Sequence, residues 1–104
     1  MHTGKHPRTE MQSERRETYL YFRELGIEFV FKTNNKLISI DFSYPFSGKT
    51  DKGIKIGDTM EDVIKAYGEP TNHSQGEISY SKDSTTELFF ELDESDHVKE
   101  ISIE

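Results

Sequence analysis

The chain has 104 residues, 32% hydrophobic and 32% charged, with a formal net charge of −7 and no cysteine. That length gives one domain whose modest core must come from a few well-patterned segments. The missing thiols exclude disulfides, thiol catalysis and thiolate metal sites, and leave the compartment open. No apolar run approaches the roughly 20 residues of a membrane-spanning helix, so membrane insertion is not expected.

Residues 1–16 are polar and lack a sustained apolar period, so they read as a flexible or loosely packed N-terminal segment. Their start, Met1 to Arg8, has no apolar stretch of the secretory-signal kind. Residues 17–104 then form a single α+β domain. Thr18-Tyr19-Leu20-Tyr21-Phe22 is rich in β-formers, although 15–25 also fits a helix. Ile27, Phe29 and Phe31 alternate with polar or smaller residues, as do Ile38, Ile40 and Phe42 beyond an Asn-Asn turn. Tyr44-Pro45-Phe46-Ser47-Gly48 ends this sheet segment, because proline cannot donate to a ladder.

A loop to Gly53 precedes the clearest helix. Asp58 is the expected N-cap with Glu61 as its capping-box partner. Met60, Val63, Ile64 and Tyr67 form the apolar stripe, and Gly68 and Pro70 stop the helix. Strands follow at about 77–82, 86–92 and 97–103. The expected fold is an antiparallel sheet of two three-stranded meanders, βββ-α-βββ, covered by one main helix.

The two meanders read as an internal repeat of 17–43 in 78–104. A shift of 61 positions puts Tyr19 on Tyr80, Ile27 on Leu88, Phe29 on Phe90, Phe31 on Leu92, Leu37 on Val98, Ile40 on Ile101 and Phe42 on Ile103. No gap is needed, and the turns at 32–36 and 93–97 are equally long. If the unit is α-βββ, the first copy lacks its helix, and the chain begins just after the place where one would lie. The missing cover would come from a partner chain or from residues 8–16. A homodimer or domain-swapped pair is therefore expected, with Val30, Phe46 and Phe89 near the contact.

The segment Gly53-Ile54-Lys55-Ile56-Gly57-Asp58-Thr59 through Val63, Gly68 and Pro70 resembles the signature of the small SmpA/OmlA outer-membrane lipoproteins and of β-lactamase-inhibitory-protein-like domains. The resemblance implies a short helix followed by an antiparallel meander, and protein binding without catalysis. It gives these residues structural jobs and carries over no functional residue. The chain departs from the lipoproteins in having no anchoring cysteine. The resemblance implies an extracytoplasmic place if an export signal precedes this sequence; otherwise the cytoplasm is expected.

Little here points to catalysis. Gly48-Lys49-Thr50 lacks the earlier glycine and the following helix of a phosphate loop, since position 43 is Ser43. His2, His6, His73 and His97 share no ligand spacing on one element. Asp93-Glu94-Ser95-Asp96 lacks the glycine and distal Glu of a calcium loop. No enzyme activity, cofactor or metal is expected. Residues 82–104 hold two Lys against eight Asp/Glu, which argues against nucleic acid and admits a basic protein partner.

Aromatic residues are the better lead. Val30 and Phe89 have the parity of the second sheet face, beside Glu28 and Glu91, while Tyr44 and Phe46 flank the loop proline. Val30, Tyr44, Phe46, Phe89 and Glu91 are the candidate partner-binding residues; for Tyr44, packing beneath the loop is the plainer alternative. The expected function is a non-catalytic protein–protein interaction domain that binds through the sheet face and the 44–53 loop. An immunity or inhibitor protein masking a basic toxin or enzyme is one alternative, and a small-ligand or enzymatic domain another.

Overall fold

The computed structural model describes residues 8–11 and 16–104, with side chains from Glu17 onward. The elements are β1 Arg8–Met11, β2 Arg16–Phe22, β3 Ile27–Phe31, β4 Leu37–Ser43, α1 Met60–Tyr67, β5 Asn72–Ser74, β6 Glu77–Ser81, β7 Glu87–Leu92 and β8 Val98–Ile103. The fold is α+β, with one antiparallel sheet and one short helix. The meanders are not separate layers. They are halves of a single eight-stranded sheet in the order β1-β2-β3-β4-β8-β7-β6-β5, joined where β4 pairs β8. Residues 16–25 do not form the alternative helix: β2 is a strand, and 23–26 form its turn.

Two edge strands escape sequence patterning. β1 pairs with β2, and the three polar residues of β5 pair with β6. Residues 8–11 thus extend the sheet edge and do not fold over a face. The rest of the N-terminal segment, 1–7 and 12–15, lies outside the described residues.

The two inner hairpins share one backbone geometry. β3 and β4 pair Ile27↔Phe42 and Val30↔Ser39, then slip at a bulge so that Phe31 faces Leu37. β7 and β8 pair Leu88↔Ile103 and Glu91↔Glu100, then slip so that Leu92 faces Val98. Each of these pairs is the other displaced by the same offset. The turns match too: Asn35 has φ 64° and Asp96 φ 62°, in the left-handed region where Asn and Asp are tolerated. Lys32 N–H donates to the Lys36 carbonyl at 2.8 Å, and Asp93 N–H to that of His97 at 2.9 Å.

The gapless alignment fails for the outer strand. β2 pairs Phe22↔Ile27 and Leu20↔Phe29, whereas β6 pairs Tyr80↔Leu88 and Ile78↔Phe90. The counterpart of Tyr80 is therefore Phe22, and Tyr19 lies on the other face, opposite Val30. The cause is the longer β6–β7 loop, 82–86, against the tight β2–β3 turn. That turn needs glycine: Gly26 has φ +70°, and a Cβ there would meet the Ser43 carbonyl oxygen.

On the sheet face that meets α1, the core cluster consists of Ile54, Val63, Ile78, Tyr80, Leu88, Phe90, Leu92, Val98 and Ile101. All of its strand residues belong to the C-terminal half. Ile27, Phe29, Phe31 and Ile40 have the predicted parity but remain partly exposed, because the eight-residue helix covers only the other half. Ile38 falls at the β4 bulge, and Leu37 takes its place opposite Phe31.

The helix starts one residue later than its expected cap. Thr59 is the N-cap: its hydroxyl accepts from Asp62 N–H at 3.1 Å, and the Asp62 carboxylate accepts from Thr59 N–H at 3.1 Å. Asp58 cannot take that role, because Val98 N–H donates to its carbonyl at 2.7 Å and holds it alongside β8. Its carboxylate receives Lys55 N–H and the Lys55 ammonium instead. The buried side of α1 is Val63 with Met60, Ala66 and Tyr67; Ile64 stands outside the core cluster. Gly68 ends the helix at φ 89° and ψ −162°, a region open essentially to glycine alone.

Phe90 is fully buried, while Phe89 faces the opposite side and is half-buried. Phe90→Ala is expected to cost about 3–5 kcal/mol in denaturant melts, and Phe89→Ala clearly less. Val63→Asp should unfold the domain by burying an unpaired charge, and Lys65→Asp should melt like the parent. Equal losses for the two Phe variants would contradict the register.

Candidate interaction faces

The helix-bearing face has three zones. Over the C-terminal half sits α1, where the Tyr67 ring lies 5.2 Å from that of Tyr80 and 5.6 Å from that of Phe90. Along the middle runs the 44–53 loop. Phe46 packs on Phe42 with ring centroids 4.6 Å apart, and Gly48 lets that ring in, since a Cβ there would come within 2.5 Å of it. Tyr44, a candidate partner-binding residue with packing beneath the loop as the alternative, is 82% exposed and does not pack there. Thr50 closes the loop by donating N–H to the Ile54 carbonyl at 2.8 Å and accepting Ile54 N–H on its hydroxyl at 3.0 Å.

Beneath this loop lies a cavity of about 350 Å³ with Phe42, Phe46, Leu88, Ile101 and Ile103 on its walls and Lys49, Asp51 and Lys82 at its rim. Asp51 is fixed there by the Tyr67 hydroxyl, which donates to it at 2.9 Å. That hydrogen bond, aided by Lys82 and Lys52, holds its carboxyl below the usual range. The mouth is therefore polar and the interior apolar.

The third zone, over β2, β3 and β4, carries Leu20, Ile27, Phe29 and Phe31, which are partly buried, and Phe22, which is exposed; the described helix sits over the other half. Phe22 is 41% and Leu37 43% exposed, whereas their counterparts Tyr80 and Val98 are 8% and 1% exposed. Sequence parity found these residues but could not show that one short helix leaves them bare.

The opposite face is acidic. Glu28 stands directly opposite Asp41, Glu77 opposite Glu91, and Glu91 opposite Glu100. Directly opposed like charges are destabilising. Some are relieved: Ser39 and Ser102 hydroxyls donate to Asp41 at 2.9 and 2.5 Å, and Lys99 lies 3.9 Å from Glu91. Burial, then Asp41, Glu91 and Glu28, push the Glu100 carboxyl up to about 7. Glu104 is also raised, by burial first and then by Asp41 and Glu77.

Of the expected partner-binding residues, the structure brings Phe89 and Glu91 together on the acidic face beside Glu100. Val30 is on that face but buried, at 7% exposure. Tyr44 and Phe46 sit apart in the loop. Among the described residues no cluster of three or more His, Cys, Asp or Glu is placed to hold a metal ion, and no helix is long and apolar enough to cross a membrane. Compared with protein-family models, curated proteins and solved structures, the chain matches none.

Glu100 gives a pH signature with a definite sign. Its carboxyl titrates near 4.5 when unperturbed and near 7 in the fold. Between those values the folded chain keeps a proton the unfolded chain has lost, so stability from this group falls as pH rises through that window. Glu100→Gln, which mimics the protonated acid, should raise the melting temperature at pH 8 and leave it unchanged near pH 4. An equal gain at both pH values would assign the effect to packing.

Proposed function

We propose that the chain is a non-catalytic protein–protein interaction domain that engages its partner with the bare half of the apolar sheet face and the adjoining 44–53 loop. One observation carries this reading. Positions that are buried in the second half are exposed in the first at Phe22 and Leu37 and partly exposed at Leu20, Phe29 and Ile40, so side chains of core-like composition reach water. Each Å² of such surface costs roughly 25 cal/mol, and a contiguous apolar patch on a small domain marks an interaction site. Tyr44 at the end of β4 and the cavity under Phe46 extend that surface with an exposed aromatic and a polar rim, the anatomy of an interface. The resemblance of residues 53–70 to inhibitory-protein-like domains is in keeping with this reading.

The carboxylate face favours a second reading, an inhibitor masking a basic partner. A cationic partner would replace the mutual repulsion of Glu91, Glu100 and Asp41 by attraction. Binding there would tighten from pH 5 to pH 8 as Glu100 ionises, and weaken with salt.

Site-specific photo-cross-linking separates the readings. A benzophenone amino acid placed at Leu37, Tyr44 or Lys99 would be irradiated in extract of the source cells. Leu37 and Tyr44 should yield one shared adduct, and Phe22→Lys should weaken the purified pair at least about 10-fold. An adduct from Lys99 alone, lost in high salt, would favour the inhibitor. No discrete adduct from any position would overturn both.

A further inference from the structure

We infer that the bare half of the sheet seats an amphipathic helix supplied by a partner chain. That helix is about three turns long, with an apolar side, a large ring near its C-terminal end and carboxylates in its first turn. The inference rests on the interaction-domain reading above and specifies the occupant of that face.

The fold contains its own template. An approximate twofold passes between Asp41 and Ser102, which face each other across the β4–β8 seam, with Ile40↔Ile103 and Phe42↔Ile101 symmetrically about them. It maps β3–β4 onto β7–β8, bulge included. It carries Leu20 to Ile78, Phe22 to Tyr80 and Phe29 to Phe90. The rings repeat as well: Phe22 and Phe29 stand edge to face at 6.0 Å and 87°, and Tyr80 and Phe90 at 6.1 Å and 82°. In the second half a third ring, Tyr67 of α1, completes the group. In the first half that place has no described occupant. The same operation laid on α1 puts a helix across Leu20, Phe22, Phe29 and Leu37.

Charge fixes which way the helix runs. In the covered half, the start of α1 abuts the 93–97 turn: Met60 N–H donates to the Asp96 carbonyl at 2.9 Å, and Thr59 bridges His97. The corresponding turn of the bare half is Lys32-Thr33-Asn34-Asn35-Lys36. Two lysines there complement acidic residues in the first turn of an incoming helix, where its own dipole also favours them. α1 itself carries Glu61 and Asp62 at that position.

Size argues for a helix and against a second sheet. Three strands about 4.8 Å apart and five to seven residues long cover roughly 10–15 by 17–23 Å. That is the footprint of one helix about 10–12 Å across and three turns long. A stable flat dimer needs about 800 Å² per partner, more than twice this area. Residues 1–16 have Met1 and Met11 as their only large apolar side chains and cannot supply the stripe.

The probe is a capped peptide of about 16 residues, long enough to show helicity. It carries Met, Val, Ala and Tyr at the spacing of Met60, Val63, Ala66 and Tyr67 behind a Glu-Asp first turn. Titrated into the isotopically labelled full chain, it should move the resonances of Leu20, Phe22, Phe29 and Leu37 in a saturable way. Its scrambled isomer, and the peptide against Phe22→Lys, should bind at least 10-fold more weakly. Lys32→Glu with Lys36→Glu should weaken it several-fold at low salt only. Unmoved resonances at millimolar peptide, or shifts confined to the acidic face, would overturn the inference. So would concentration-dependent shifts of these resonances without peptide, which identify a second copy as occupant. Peptide failure with the Leu37 cross-link intact removes the helix and keeps the interaction domain; loss of both removes both.

Discussion

The structure depends on the pairing of β4 with β8. Four residue pairs, Ile40↔Ile103 to Ser43↔Glu100, convert two hairpins into one sheet. A lone hairpin is marginal in water, and three or more strands with a buried face are needed for independent stability. The seam supplies that by placing Phe42 beside Ile101 on the face that the loop and helix cover. It also hides what would otherwise be the most exposed edges of both hairpins. The remaining edges, β1 and β5, are short and polar, which makes them poor templates for further pairing.

Once the seam is set, coverage becomes the constraint. A sheet with one apolar face must bury it, and α1 spans only eight residues. Its placement is decided locally. Gly57 and Asp58 are tied to Val98 by two backbone hydrogen bonds of 2.8 and 2.7 Å, so the helix emerges over β7 and β8. Tyr80 then anchors its far end by donating to the Gly68 carbonyl at 2.8 Å. With both ends fixed over the second half, the helix cannot be shared with the first. The 44–53 loop reaches the middle zone through Phe46, and its Pro45–Phe46 backbone lies against the β2–β3 turn at Gly26.

Strand alternation, the helix and the likeness of the two inner hairpins were legible because apolar periodicity and turn chemistry are written in the residues that form them. Ile27, Phe29, Leu88 and Phe90 point where their spacing says. The failures share a physical origin in what neighbouring chain segments do. Tyr19 resembled Tyr80 in sequence, but its face is set by the length of the β2–β3 turn. Ile38 lost its expected face to a bulge that no propensity marks. Asp58 has the chemistry of an N-cap, yet its backbone is claimed by Val98. Asn72-His73-Ser74 has no apolar content at all and pairs through its backbone alone. For the candidate surfaces, parity placed Phe89 and Glu91 correctly beside each other. The bare patch around Phe22 could not be read, because exposure depends on what is absent above a residue.

The two faces differ in how the approximate twofold relates their residues. On the apolar face, equivalent positions keep the same character: Leu20 with Ile78, Phe22 with Tyr80, Phe29 with Phe90. On the acidic face they alternate. Glu28 corresponds to Phe89, Val30 to Glu91, Ser39 to Glu100 and Asp41 to Ser102, so each equivalent pair holds one carboxylate. Since the seam brings both copies within a few strands of the twofold, acids in both would have doubled the directly opposed charges there. Serine at 39 and 102 instead donates to Asp41. Glu100 has no such donor from a serine, and it is the one pushed up to about 7. The seam thus sets Glu100 beside Asp41 and Glu91 with burial as the largest influence, and its carboxyl is the one that titrates near neutral pH.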